Sequence, residues 1–387
     1  MLYIAVFDRC LELKPRIQFN NLDEYRGEAT VLEVAQRYDF DVENIVKAEF
    51  NENLFPPSPK VIQALTEFLL TNSSQFGKIN TYPYEIDYKS IRHRIARCIS
   101  NRLSEDDILL GNGSNEIIDL ICKVFVEPSK EKVLLLEPTF GGYKVYLRTY
   151  NILIDSVICE DDLQFDYEKV LQRIDEDTKL CVICHPNNPT GLLFDKTRLV
   201  ELITSFPNTL FFIDEAYIHY SKEKSSVVEL AADYENVIIS RSFSKAYGLA
   251  GLRVGLGISN RKNIEYMNKA RVSYTANIFG VVAIDAILND QEYVQKIVAE
   301  TIKERNMVRE NLMGLPKVEF VYPSEGNFLL IRFRDCDAKI VQQKMLKKGI
   351  ILRDYSEMPK LANCLRMTIG PKKNNDRILR GLREVLM

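Results

Sequence analysis

The chain has 387 residues, of which 46% are hydrophobic and 10% aromatic, enough to bury a large core and normally to divide into two domains. A formal net charge of -3, with 51 basic and 54 acidic residues spread along the chain, gives no electrostatic case for nucleic acid, and no apolar run approaches the ~18 residues of a membrane span. Eight cysteines are too few for a disulfide scaffold and predict free thiols in a reducing cytoplasm.

The opening Met1 to Arg9 has a short apolar run with no basic segment before it and no small-residue cleavage site after it, so no export signal is expected. An amphipathic run from Ala29 to Arg37 precedes a proline-rich turn at Leu54-Phe-Pro-Pro-Ser-Pro59. β-rich apolar runs then recur at Ile108–Leu110, Lys132–Leu136, Leu153–Ile158, Leu180–Ile183, Leu210–Ile213 and Val237–Ser240, separated by helix-length amphipathic segments. Such alternation predicts a mostly parallel mixed sheet covered by helices on both faces. A long helical pattern, Gln291 to Leu312, leads to strand-like runs at Val318–Tyr322 and Phe328–Phe333 and a terminal helix near Asn375 to Leu386. The expected class is therefore α/β. Residues 75–275 form the large domain, and residues 1–74 join 276–387 in a smaller α+β domain built from both chain ends.

In such sheets ligands sit beyond the carboxyl ends of the strands, so the residues that follow each strand carry the functional signal. Gly111-Asn-Gly-Ser-Asn-Glu116 opens a helix whose first amides, at Ser114 and Asn115, suit a phosphate. A dinucleotide fingerprint there lacks its third glycine, since Glu116 occupies that place, and a purely structural turn is the plain alternative. Cys181-Val-Ile-Cys184 has CxxC spacing, but on a strand a spacing of three points the thiols to opposite faces, so no metal site is expected. Phe140, Asn188 and Asp214-Glu-Ala-Tyr217 follow three further strands, and each is ordinary when taken singly. Lys245 is different. It follows the run Val237–Ser240 in Ser242-Phe-Ser-Lys-Ala-Tyr-Gly-Leu-Ala-Gly-Leu-Arg253, a segment too apolar and glycine-rich for an outer face.

A lysine, a carboxylate, an aromatic ring, an amide, a phenol and a phosphate cradle at successive strand ends are the set that pyridoxal 5'-phosphate requires. From Asn51-Glu-Asn53 through Asn187-Asn-Pro-Thr-Gly191 to Cys364-Leu-Arg-Met-Thr-Ile-Gly370, the chain resembles the fold type I pyridoxal-phosphate enzymes of the aspartate aminotransferase fold. It is most similar to the histidinol-phosphate aminotransferases, with threonine-phosphate decarboxylases as a related branch.

The resemblance implies that Lys245 forms the Schiff base with the cofactor and acts as general base. Burial and nearby Arg253 are expected to lower its pKa. Asp214 would pair with the ring nitrogen, Tyr217 and Asn188 would bond the ring oxygen, and Phe140 would stack on the ring. Ser114, Asn115, Ser242, Ser244 and Arg253 would hold the phosphate, with Tyr82 reaching the phosphate of a neighbouring subunit in a homodimer. Arg353, Arg366, Asn53 and Tyr25 are the expected substrate-binding residues. Two arginines favour a small phosphorylated amine or amino acid, with 2-oxoglutarate and glutamate as the partner pair.

The departures fall where substrate meets protein. Pro56 stands where the family usually has glycine, removing an amide donor, and Ser273-Tyr-Thr-Ala276 replaces a Pro-Phe-Asn turn. Decarboxylation of phosphothreonine or phosphoserine, and a non-catalytic binding role, remain open beside transamination.

Overall fold

The computed structural model describes residues 16, 17, 19, 22, 27–82 and 88–387. Its main sheet has seven strands in the spatial order Ile108–Gly111, Gly255–Ile258, Val237–Ser242, Leu210–Asp214, Thr178–Cys184, Lys132–Glu137 and Leu153–Ile158. All run parallel except Gly255–Ile258, which pairs antiparallel with both its neighbours. That one reversal leaves the carboxyl ends of the other six strands on the same edge.

Both faces of this sheet are buried, so its strands read as continuous apolar runs whose alternate residues serve two cores. Leu134, Cys181, Phe211, Ile213 and Ile239 face one core, with the helices Lys89–Ile99 and Lys196–Ser205. Val133, Val182, Cys184, Phe212 and Ile238 face the other, with Ser114–Phe125, Gly142–Thr149 and Arg261–Ala270. Cys181 and Cys184 thus fall on opposite faces, and the seven cysteines among the described residues are free.

A second, four-stranded antiparallel sheet has the order Arg353–Asp354, Cys364–Thr368, Phe328–Phe333 and Val318–Val321. Beside it Val46–Lys47 pairs in parallel with Ile350–Ile351, which brings the two ends of the chain together. Val308 and Leu312 of helix Gln291–Met313 share a core with Leu329, Ile331, Val341 and Ile378. Helices Pro59–Thr71 and Ile278–Leu288 instead bury Val61, Phe68, Val281 and Ile284 in the core of the large sheet. A division at residues 74 and 276 would cut through that core. We propose that the large unit begins near Ser58 and extends to the start of helix Gln291–Met313. No helix among the described residues is long and apolar enough to cross a membrane.

One approach of backbone to backbone sets the edge where the strands end. A Cβ added at Gly255 would lie 2.2 Å from the Ser114 amide nitrogen and 2.4 Å from the Gly113 carbonyl carbon, so only glycine lets this strand pass the start of helix Ser114–Phe125. Gly255→Ala is expected to lower stability by about 1–3 kcal/mol, and with it the denaturation midpoint, because backbone cannot yield as a side-chain tip can. Gly314→Ala, whose nearest contact would be an ordinary 3.6 Å, is the control. Equal midpoints for the two variants in denaturant titrations would contradict the constraint.

Candidate active site

A cavity of about 330 Å³ opens at the carboxyl ends of the strands, and its walls bring together Ser114, Asn115, Phe140, Asn188, Asp214, Tyr217, Ser242, Ser244, Lys245, Arg253 and Arg366. These eleven expected residues come from five separate strand exits and the small sheet. Phe50, Glu52, Cys184, Ala216, Ala250 and Gly251 complete the lining.

At one end, Gly113 caps helix Ser114–Phe125 with φ of +81°. A Cβ there would fall 2.3 Å from Nη2 of Arg253, so the missing side chain is what admits the guanidinium to the helix start. Arg253 itself takes the left-handed conformation, φ 52°, and donates to the Ala250 carbonyl at 3.2 Å. The Ser242 hydroxyl oxygen accepts from the Ser244 amide at 3.1 Å, folding the two hydroxyls into one turn. Helix amides, two serines and a guanidinium form a cradle for a phosphate dianion.

At the centre, strand Leu210–Asp214 ends in a buried carboxylate. Asp214 accepts from the Ser240 hydroxyl at 2.7 Å, the Tyr143 hydroxyl at 2.7 Å and the Ala216 amide at 3.1 Å. Burial pushes its carboxyl above the usual range, against these three bonds, which favour the charged form. A positive ring nitrogen beside it would offset the burial. The next residue, Glu215, is fully buried and paired with Arg241 at 2.9 Å, which anchors the exit loop carrying Tyr217.

Tyr217 receives two amide donors at its phenol oxygen, from Asn51 Nδ2 at 3.2 Å and Asn188 Nδ2 at 3.4 Å. Its own O–H is thereby left to donate into the cavity. Phe140 lines the same wall and meets Tyr143 edge-on, with centroids 5.3 Å apart. Tyr143 escaped the sequence reading, although it lies three residues beyond Phe140, in the first turn of helix Gly142–Thr149, and supports Asp214 directly.

Lys245 donates to the Phe50 carbonyl at 2.8 Å. Burial and then the Arg366 charge bring its pKa down from the usual lysine value to about 8, with Glu52 and Asp214 acting in the opposite direction. Burial, one of the two expected causes, is the largest, whereas Arg253, the other, is the smallest of the named contributions and weaker than Arg366. Glu52 was not foreseen as a site residue, though it stands in the Asn51-Glu-Asn53 motif.

The other expected residues lie elsewhere. Asn53 stands outside the cavity lining. Its amide donates to the Ala246 carbonyl at 3.1 Å and its oxygen accepts from the Phe55 amide, so it buttresses the turn next to Lys245. Arg353 lines a second cavity of about 340 Å³ and pairs with Glu28 at 3.5 Å. Tyr82 is exposed, its ring stacked on Tyr274 at 4.9 Å. Tyr25 lies outside the described residues.

A lysine whose pKa is lower folded than unfolded binds fewer protons in the native state, so its contribution to stability rises with pH between the two values. In the cofactor-free protein, the native chain should gain stability relative to Lys245→Met from about pH 8 toward the unfolded lysine value near ~10.4. Reductive modification of Lys245 by a small aldehyde should be half-maximal near pH 8. A midpoint above pH 10 would contradict the depressed value.

The chain matches the family model for aminotransferase class I and II over residues 43–382. It is 33% identical over 383 residues to the histidinol-phosphate aminotransferase of Methanocaldococcus jannaschii, covering 98% of this chain and 99% of that one. Among solved structures, the histidinol-phosphate aminotransferase of Sinorhizobium meliloti in complex with pyridoxal 5'-phosphate superposes with a TM-score of 0.81 at 22% identity, covering 99% of this chain and 98% of that one. The L-threonine-O-3-phosphate decarboxylase of Porphyromonas gingivalis gives 0.75 at 22% identity, covering 88% and 99%. At such identities these two structures speak for the fold alone. The donor set fits pyridoxal 5'-phosphate at both ends, with an anion cradle that a Cβ at Gly113 would block and a buried carboxylate beside an amine of lowered pKa. The chain belongs to the class I and II aminotransferases, and pyridoxal 5'-phosphate is its cofactor.

Proposed function

We propose that the protein transfers the amino group of a small phosphorylated amine, histidinol phosphate, to 2-oxoglutarate. Pyridoxal 5'-phosphate supplies the electron-accepting ring that carries the amino group between the two. The observation that carries the substrate reading is a register: Arg353 stands directly opposite Arg366 on adjacent antiparallel strands, which puts both guanidinium side chains on one face of the small sheet. Glu28 meets Arg353 at 3.5 Å, whereas among the described residues the hydrogen bonds of Arg366 go to neutral acceptors, so the pair keeps an excess positive charge that a substrate anion would meet.

The remaining side chains divide the work by position. Lys245, with a pKa about 8, takes the proton from the amine-bearing carbon of the donor and delivers it to the carrier side. Tyr217 donates its O–H into the cavity, and Asp214 balances a positive ring nitrogen. Arg366 lies at the edge of the same cavity, and Arg353 takes the distal phosphate. Lys245 would serve either reaction, but histidinol phosphate carries no carboxylate on its amine-bearing carbon, so with this donor the bond that breaks there is C–H.

Incubation with histidinol phosphate and 2-oxoglutarate should yield glutamate in step with donor consumption. CO₂ release from phosphothreonine or phosphoserine with no keto acid required would replace this reading with the decarboxylase. Arg353→Ala should raise the KM of the phosphorylated donor about 30-fold or more, since loss of a charge-assisted contact costs about 2 kcal/mol or more. The dephosphorylated donor should be nearly unaffected, and a uniform loss on both donors would remove Arg353 from the phosphate site.

We further propose a homodimer. Support comes from the exposure of Tyr82 at 74% and Tyr274 at 53%, a stacked aromatic pair on the outer surface, which suits a surface covered by a second subunit. Light scattering should give twice the 44.7 kDa chain mass, and a fully active monomer at assay concentration would refute the shared site.

A further inference from the structure

Arg353 and Arg366 share a face of the small sheet yet line different cavities. Tyr355, two residues beyond Arg353, belongs to the surroundings of both. It lines the Arg353 cavity, while its hydroxyl oxygen accepts from Nη1 of Arg366 at 2.7 Å. The same hydroxyl stands 3.4 Å from Oδ1 of Asn188. Its ring is 7% exposed, packed with Leu330, Leu361 and Cys364, so the position of the hydroxyl is set by apolar packing rather than by solvent.

Asn188 shows what this contact does. An amide has a carbonyl end and an amino end of nearly equal size, and its orientation is fixed by which partners donate and which accept. Tyr355 and Nη1 of Arg366 both present hydrogen to Oδ1, which turns Nδ2 toward the Tyr217 oxygen. Removal of the phenol leaves Arg366 as the one remaining donor in that pair and releases Nη1 from its second acceptor.

We propose that Tyr355 is a positioning residue that determines specificity for anionic substrates. It keeps Arg366 turned into the cofactor cavity, and shares with Nη1 of Arg366 the donation to Asn188 Oδ1, which that arginine sustains in its absence. An anion arriving at Arg366 then meets a guanidinium already oriented, and Arg353 serves the outer cavity alone. The inference rests on the aminotransferase reading with an anionic substrate, but not on the identity of the phosphorylated donor.

The test compares wild-type holoenzyme with Tyr355→Phe, which keeps the ring and its packing. The KM for glutamate in the half-reaction should rise at least tenfold, while the half-reaction with a small primary amine lacking any anionic group changes less than threefold. The pH midpoint of the visible cofactor band should move upward, because a loosened Arg366 no longer presses its charge on Lys245. Tyr355→His, which restores a hydrogen-bonding ring edge, should recover part of the glutamate affinity and also serves if the phenylalanine variant folds poorly. A folded Tyr355→Phe enzyme with unchanged glutamate KM and unchanged midpoint overturns the proposal. Failure of histidinol phosphate as donor would overturn only the donor assignment, since neither glutamate nor the midpoint depends on it.

Discussion

The arrangement turns on the burial of one guanidinium. Arg366 is 3% exposed, and among the described residues its hydrogen bonds go to neutral acceptors: the Glu49 carbonyl, Asn188 Oδ1 and the Tyr355 oxygen. An ion taken out of water costs several kcal/mol unless its hydrogens are met. The acceptors come from three distant stretches of chain, the N-terminal segment, a strand exit of the large sheet and the edge of the small sheet. Moving any one of them strands a buried charge, so the two sheets and the N-terminal segment are held in one relation. The faces of Phe328 and Tyr355, 5.4 and 5.1 Å from the guanidinium carbon, supply further stabilisation of the cationic group. Among the described residues its Nε is a buried donor without a partner, an opening for an anion.

That charge also adds to what burial does to Lys245. Burial alone would drive both Lys245 and Asp214 toward neutrality, the amine by losing its proton and the carboxyl by keeping one. Arg366 reinforces the first effect, whereas the hydrogen bonds from Ser240, Tyr143 and the Ala216 amide oppose the second. The result is an amine poised near physiological pH and a carboxylate whose ionised form is prepared for a cationic ring. Both are desolvated in the same cavity, yet their partners push them to different tasks.

Much of this was legible in the sequence, and for identifiable reasons. The parallel strands are buried on both faces, so they appear as unbroken apolar runs. Lys245 stood out because a charged residue in a glycine-rich apolar segment contradicts composition. Strand Gly255–Ile258 was not legible, because two of its four residues are glycines, chosen for close approach rather than for strand propensity. The short strands at Ile350–Ile351 and Arg353–Asp354 offer too few residues for any periodicity. Tyr143, Tyr355 and Asn51 were missed for another reason. Each acts through a partner on another element, Asp214, Arg366 and Tyr217, and spacing along a chain carries no record of such pairs.

The proposed role of Arg353 implies a selection in its own cavity that the Lys245 cavity would not make. Glu28 already occupies Arg353 at 3.5 Å, and its carboxylate accepts from Gln342 Nε2 at 2.7 Å and the Asp354 amide at 3.1 Å. An incoming anion must therefore compete with a resident carboxylate that is itself hydrogen-bonded. A substrate carboxylate offers the same single charge as Glu28 and gains little from the exchange, whereas a phosphate brings up to two charges and a third oxygen. Lys339, in the same walls, adds a second cation that a phosphate could use. With Arg353 in its proposed phosphate-binding role, discrimination between phosphorylated and carboxylate-tailed substrates would come from the cost of displacing Glu28 as well as from the attraction of Arg353.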